Sequence, residues 1–173
     1  MSGAPLRVDV SSSGRGRRPS AAQIGAWASA ALGRRARGYA LAVHIVGLRA
    51  SRRLNGRFRG RDTPTNVLSF PASPTAWPAG APAAGQDGNR HGRSGLSSSA
   101  PPLGDLVMCS PVIAAEARRQ GKTVRAHWAH LIVHGTLHLS GYDHERPTDA
   151  RRMERREIAV LKRLGFANPY RSV

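Results

Sequence analysis

The chain has 173 residues, 40% of them hydrophobic, and carries 27 Lys and Arg against 10 Asp and Glu, a formal net charge of +17. That length can bury a core without disulfides, and the hydrophobic fraction excludes a wholly disordered basic tail. The single cysteine, Cys109, excludes a disulfide framework and a cysteine-based zinc finger. No run reaches the ~20 apolar residues of a membrane span, and no apolar signal segment follows Arg7. The sequence therefore reads as a soluble, cytoplasmic protein forming one domain over residues 1–173. The cationic excess favours a polyanionic partner, because each Lys or Arg set on a phosphate releases counterions. The alternative is charge spread over a solvated surface.

Residues 1–37 are Arg- and Ser-rich with Asp9 as the only acid, as in a transit peptide. Leu6, Val8 and Val10 nevertheless alternate as a strand, and Ala21 to Leu32 is an apolar helical stretch, so the domain starts here. Ser20 suits the N-cap of that helix, and Gly33 ends it. Tyr39–Val46 reads as a buried strand, with His44 a packed or edge residue. Residues 49–61 hold six arginines and no acid, predicting a short helix that ends near Gly56, followed by a strand at Asn66–Phe70.

From Pro71 to Pro102, 23 of 32 residues are Pro, Gly, Ser or Ala, types that build no periodic apolar face. This segment, with His91 inside it, is expected as a flexible insertion between two strands. Leu103–Cys109 is the fourth strand. A helix follows with Ser110 as N-cap and Pro111 in its first turn, ending at Gly121. The next helix, Val124 to Leu139, sets Trp128, Leu131, Ile132, Gly135 and Leu139 on one stripe. Thr148 caps a last helix closed by Gly165. The expected fold is α/β (α+β): a small mixed sheet of about four strands covered by about five helices.

Five of the seven histidines lie between 127 and 144. His134 and His138 are four apart, so they share one helical face, the geometry of a chelating pair. Gly141 lets the chain leave the helix with positive φ, and that turn can bring His144 back over the same face. The pattern H-x3-H-x2-G-x2-H supplies three imidazoles and no fourth protein ligand. One zinc ion held by His134, His138 and His144, with water in the fourth position, is a catalytic arrangement. Other first-row metals also accept three nitrogens. His127 and His130 lie upstream and are expected behind the ligands or exposed.

The spacing equals the long zinc-protease motif except that Gly135 stands where the general-base Glu is needed. A glycine takes no proton, so a metallopeptidase is the weaker reading. Asp143, beside His144, is the nearest carboxylate in sequence and could orient an imidazole or serve as a substitute base.

HGTLHLSGYDH, together with RGRDTPTNVLSFP upstream and LGDLVMC between them, closely resembles the YbeY family of bacterial endoribonucleases. The resemblance runs from the first strand to the Met153–Glu157 helix and departs only in the long insertion. It implies a metal-dependent, single-strand-specific endoribonuclease acting in 16S rRNA 3′-end maturation and late-stage ribosome quality control. It also implies metal ligands at His134, His138 and His144 and a functional arginine at Arg59. The partners implied are rRNA and the small ribosomal subunit, with ribosomal proteins and an assembly GTPase beside them, and no membrane. A guanidinium there suits the chemistry, because it binds two phosphate oxygens at once. Whether water or the RNA 2′-OH attacks stays open at the level of sequence. A ribosome-assembly binding factor with a structural metal is a further alternative. Asp62, Thr63, Asn66, Ser69 and Asp105 read as turn-fixing residues, and Cys109 as a small buried hydrophobe.

Overall fold

The computed structural model describes residues 5–13, 16–72, 100–142 and 146–171. In chain order these form β1 (Arg7–Ser12), α1 (Ala21–Leu32), β2 (Ala40–Val46), α2 (Leu48–Arg59), β3 (Val67–Pro71), β4 (Pro102–Cys109), α3 (Ser110–Arg119), α4 (Val124–Leu139) and α5 (Pro147–Arg163). A short 3-10 turn, Gly33–Ala36, follows α1. The strands make one mixed sheet in the order β1-β2-β4-β3, with β1, β2 and β4 parallel and β3 antiparallel to β4. This is the expected small α/β sheet.

Parallel strands are stable when helices cover both faces, and β2 shows it. Its sequence ALAVHIV is buried almost throughout, whereas the edge strand β1 alternates between half-buried and exposed. Leu41, Val43 and Ile45 of β2 and Leu106 and Met108 of β4 face the larger core, against Ile24 and Trp27 of α1, Ile132 of α4 and Leu161 of α5. The alternate residues Val46, Leu68, Val107 and Cys109 face the other way and meet Ala50 and Leu54 of α2. The sheet thus carries α1, α4 and α5 on one face and α2 on the other.

The helix ends differ from expectation in three places. The second helix continues through Gly56 to Arg59, because Gly60 takes a left-handed conformation (φ +67°) and its N–H reaches back to the Gly56 carbonyl at 3.1 Å. The third helix has Cys109, not Ser110, at its N-cap. The last helix starts at Pro147 with Arg146 as N-cap, ahead of Thr148. Proline has no N–H to leave unsatisfied and a preset φ, so it fits the first helical turn. The Ser20 cap is a full capping box, with Ser20 and Gln23 bonding reciprocally. Pro71 ends β3 and Pro102 opens β4, positions at strand termini where proline removes little pairing. Of the expected insertion, residues 73–99, including His91, lie outside the described residues. Among the described residues no helix is long and apolar enough to cross a membrane.

Candidate functional site

Helix α4 carries the histidines, and both of its ends are fixed by local chemistry. The Thr123 side chain accepts from the Ala126 N–H at 3.1 Å. At the other end Gly141 adopts φ +94° and donates to the His138 carbonyl at 3.0 Å, while Tyr142 N–H reaches the Leu137 carbonyl at 3.1 Å. This is the Schellman pattern, and it supplies the chain exit the sequence predicts at Gly141. His144 lies beyond it, outside the described residues, as do Asp143 and Glu145.

His130, His134 and His138 follow one another up one face of α4, each half-buried. The His134 and His138 rings meet edge to face with centroids 4.6 Å apart, against 6.1 Å between His130 and His134. The structure thus brings together the two predicted ligands it describes.

Behind His134 stands Glu157 of α5, fully buried, with Oε1 2.6 Å from His134 Nδ1. Its Oε2 lies 3.3 Å from His130 Nε2 and accepts from the Tyr170 hydroxyl. Burial pushes this carboxyl up, but the hydrogen bonds from His130, His134 and Tyr170 outweigh it and hold it down at about 2. An ionised carboxylate only accepts, so His134 carries its proton on Nδ1 and turns Nε2 outward. For Tyr170, burial and the neighbouring Glu157 charge both push the phenol up, so it stays protonated and donates. Burial lowers the pKa of His130 despite Glu157.

His130, His134 and Glu157 offer ligand atoms within 4.8 Å of one another, so this trio is itself a group that could hold a metal. Sequence reasoning missed Glu157, naming Asp143 as the carboxylate behind a ligand. A signal was present: Met153, Glu157, Val160 and Leu161 recur at helical spacing on the buried stripe of α5. An acid on such a stripe needs buried partners.

His127 is buried rather than exposed, one turn below His130, with Nε2 2.8 Å from Glu116 Oε2 on α3. Asn66 Nδ2 donates to the same Glu116 oxygen at 3.0 Å, and Asn66 Oδ1 accepts from the Val67 N–H at 2.6 Å. This network ties the start of β3 to α3 and α4.

Gly135 marks the closest approach of α4 to the sheet. A Cβ placed there would lie 2.7 Å from Leu106 Cδ2 and 3.2 Å from Ser69 Oγ. The residue after His134 therefore faces packed side chains.

Arg59 is the last residue of α2, exposed, just before the left-handed Gly60. Partial desolvation and then the charge of Arg61 lower its pKa. The turn that follows is clamped from inside α2. Ser51 Oγ donates to the Thr65 carbonyl at 2.8 Å and accepts from the Thr65 N–H at 2.9 Å, while Asn55 Nδ2 donates to the Thr63 carbonyl at 2.7 Å. Phe58, beside Arg59, packs edge to face on Phe70 of β3 at 4.9 Å. Gly135, beside His134, packs on Ser69 of the same strand from the opposite face. Arg59 and the histidine pair thus flank the edge strand β3 from its two sides.

Asp62 is engaged in the turn, accepting from Arg52 at 2.7 and 2.6 Å. His44 bonds Ser11 Oγ at 2.8 Å and lies 4.0 Å from Asp105, an edge role as expected. Cys109 is buried and free of disulfide.

A family model described as Endoribonuclease YbeY matches residues 19–165. Curated relatives named Endoribonuclease YbeY include one from Halorhodospira halophila, 47% identical over 152 residues and covering 88% of both chains. One from Stenotrophomonas maltophilia is 42% identical and covers 98% of both. A solution structure from Thermotoga maritima superposes with a TM-score of 0.53 over 96% of this chain and 99% of that one. At 18% identity that likeness speaks for the fold alone. With near-complete coverage at this identity, the chain belongs to the YbeY endoribonuclease family.

Proposed function

We propose that this protein is a zinc-dependent, single-strand-specific endoribonuclease acting in 16S rRNA 3′-end maturation and late-stage ribosome quality control. Its zinc is held by His134, His138 and His144. The observation that carries the reading is the 2.6 Å contact between Glu157 Oε1 and His134 Nδ1, which leaves Nε2 of His134 as the donor. Two ligands on one tetrahedral zinc stand about 3.3 Å apart, from bond lengths near 2.0 Å. A pair at 2.6 Å is a hydrogen bond, so Glu157 supports His134 rather than sharing a metal with it. His138, one turn on, supplies the second imidazole, and the H-x3-H-x2-G-x2-H spacing assigns the third to His144.

Zinc so held supplies a Lewis acid for a phosphoryl oxygen and acidifies water. The chain's own groups do the rest. Arg59 offers a bidentate donor to the scissile phosphate from across β3. The exposed arginines of α2 grip backbone phosphates on either side. The partners are rRNA, the small ribosomal subunit, its proteins and an assembly GTPase, and the work is cytoplasmic.

The peptidase reading is disfavoured by packing as well as by composition: Leu106 occupies the space where a base on residue 135 would begin. The test is cleavage of a single-stranded rRNA fragment by the purified chain, with metal content measured in parallel. His134→Ala is expected to lose both metal and cleavage, and Arg59→Ala to lose cleavage while keeping metal. If His134→Ala restored rRNA maturation as fully as wild type, the chain would be an assembly factor with a structural metal. Mass spectrometry of the cleaved ends separates water from 2′-OH as the attacking group.

A further inference from the structure

Beyond α5 the chain turns back along the helices and is held at successive points. Phe166 N–H donates to the Leu161 carbonyl at 2.9 Å, and the Phe166 ring stands edge-on to Trp27 at 5.9 Å. The Arg125 guanidinium sits over the same ring, 5.4 Å from its centroid. Lys122 Nζ donates to the Pro169 carbonyl. Tyr170 N–H donates to Asn168 Oδ1 at 2.9 Å. Tyr170 is 46% exposed as a residue, yet its hydroxyl reaches a carboxylate, Glu157, that is 0% exposed. Its ring lies edge to face with His130 at 5.5 Å.

A buried carboxylate holds one orientation only while both of its oxygens are hydrogen-bonded. Oε1 of Glu157 is taken by His134. On Oε2 the His130 contact, at 3.3 Å, is long for a charge-assisted bond, which leaves the Tyr170 hydroxyl as the main donor. We propose that Tyr170 is a positioning residue for the metal site: its hydroxyl fixes the Glu157 carboxylate, which in turn holds His134 with the proton on Nδ1 and Nε2 presented to the metal. The segment after α5 is then part of the site, acting through two hydrogen bonds rather than by touching metal or RNA. This rests on the assignment of His134 as a ligand.

The experiment uses the full-length chain and two readouts besides cleavage. Nitrogen-15 NMR of the metal-free protein reports which nitrogen of His134 carries the proton, and competition with a chelator reports affinity for Zn2+ alone. The wild type is expected to show His134 protonated on Nδ1. Tyr170→Phe, which keeps the ring and removes only the hydroxyl, is expected to mix the two tautomers and weaken Zn2+ binding about tenfold, the usual size of effect for a partner behind a ligand. Glu157→Gln is expected to weaken it at least as far. Metal-free wild type with His134 protonated on Nε2 overturns the inference. So does a Tyr170→Phe chain with wild-type tautomer whose Zn2+ loss follows only a lowered melting temperature. A chain that shows the tautomer change and the Zn2+ loss but cleaves no RNA upholds this inference and removes the proposed function. Cleavage by wild type alongside an unaltered Tyr170→Phe does the reverse.

Discussion

Gly135 and Leu106 compete for one volume, and the competition gives a measurable sign. Alanine is favoured over glycine inside a helix by about 1 kcal/mol. Here, however, the added methyl would stand 2.7 Å from Leu106 Cδ2, and forcing a methyl into a packed core costs about 1–3 kcal/mol. Gly135→Ala is therefore expected to be destabilising by about 1 kcal/mol in urea unfolding. In a Leu106→Ala background, where the clash is gone, the same change should stabilise, and a cycle showing additive effects would sink the packing explanation. A second prediction concerns Glu116. Burial raises its pKa, but hydrogen bonds from His127 and Asn66 and the charge of Arg119 outweigh burial and lower it below the ordinary carboxylate value. A carboxyl whose folded pKa is depressed adds stability that is fully present above its unfolded pKa, about 4.3, and is lost as pH falls through the folded value. Glu116→Gln should thus lie below wild type in stability at neutral pH, and the gap should close as the acid limb is descended. A gap that persists unchanged in acid would mean that shape, not charge, accounts for the loss.

At the scale of elements, α2 acts as a jig for the turn that follows it. Its two buried residues, Ser51 and Asn55, are polar, and both bond the backbone between Thr63 and Thr65 rather than pack against the sheet. Ser51→Ala or Asn55→Ala would strand a buried backbone group, a loss of about 1–3 kcal/mol each. Because Arg59 sits between the clamp and the turn, either change should lower RNA cleavage by more than it lowers bound zinc. Equal loss of both would mean that the turn supports the whole domain instead. The same helix shows what was legible beforehand and what was not. Gly56 looked like a stop, yet the stop is Gly60, and only the clamped turn after it distinguishes the two glycines. Helix α4 was legible from end to end, since the His134 and His138 spacing and the Gly141 exit are local properties. Glu157 was not, because its partner is 23 positions away in the chain and is met only when α5 packs on α4. Arg59 was picked out by family resemblance, as its neighbours Arg57 and Arg61 offer the same chemistry.

Over the whole molecule the open question is whether the +17 charge acts as a diffuse field or through particular contacts. Helix α2 allows the two to be separated. Arg52 and Arg53 are adjacent and both exposed, so removing either lowers the net charge by the same amount. Arg52, however, is held by Asp62 at 2.7 and 2.6 Å, whereas Arg53, like Arg49, shows no acidic partner among the described residues. A phosphate contact to single-stranded RNA contributes about 0.7 to the slope of log affinity against log salt. Arg49→Gln combined with Arg53→Gln should therefore reduce that slope by about 1.4, while Arg52→Gln should leave it nearly unchanged, with zinc content constant throughout. If Arg52→Gln flattened the salt dependence as much as Arg53→Gln, binding would follow the net charge of the particle and α2 would not be a contact surface. If only the arginines without an acidic partner count, RNA lies along α2, and its path from there over the β3 edge leads between Arg59 and His134.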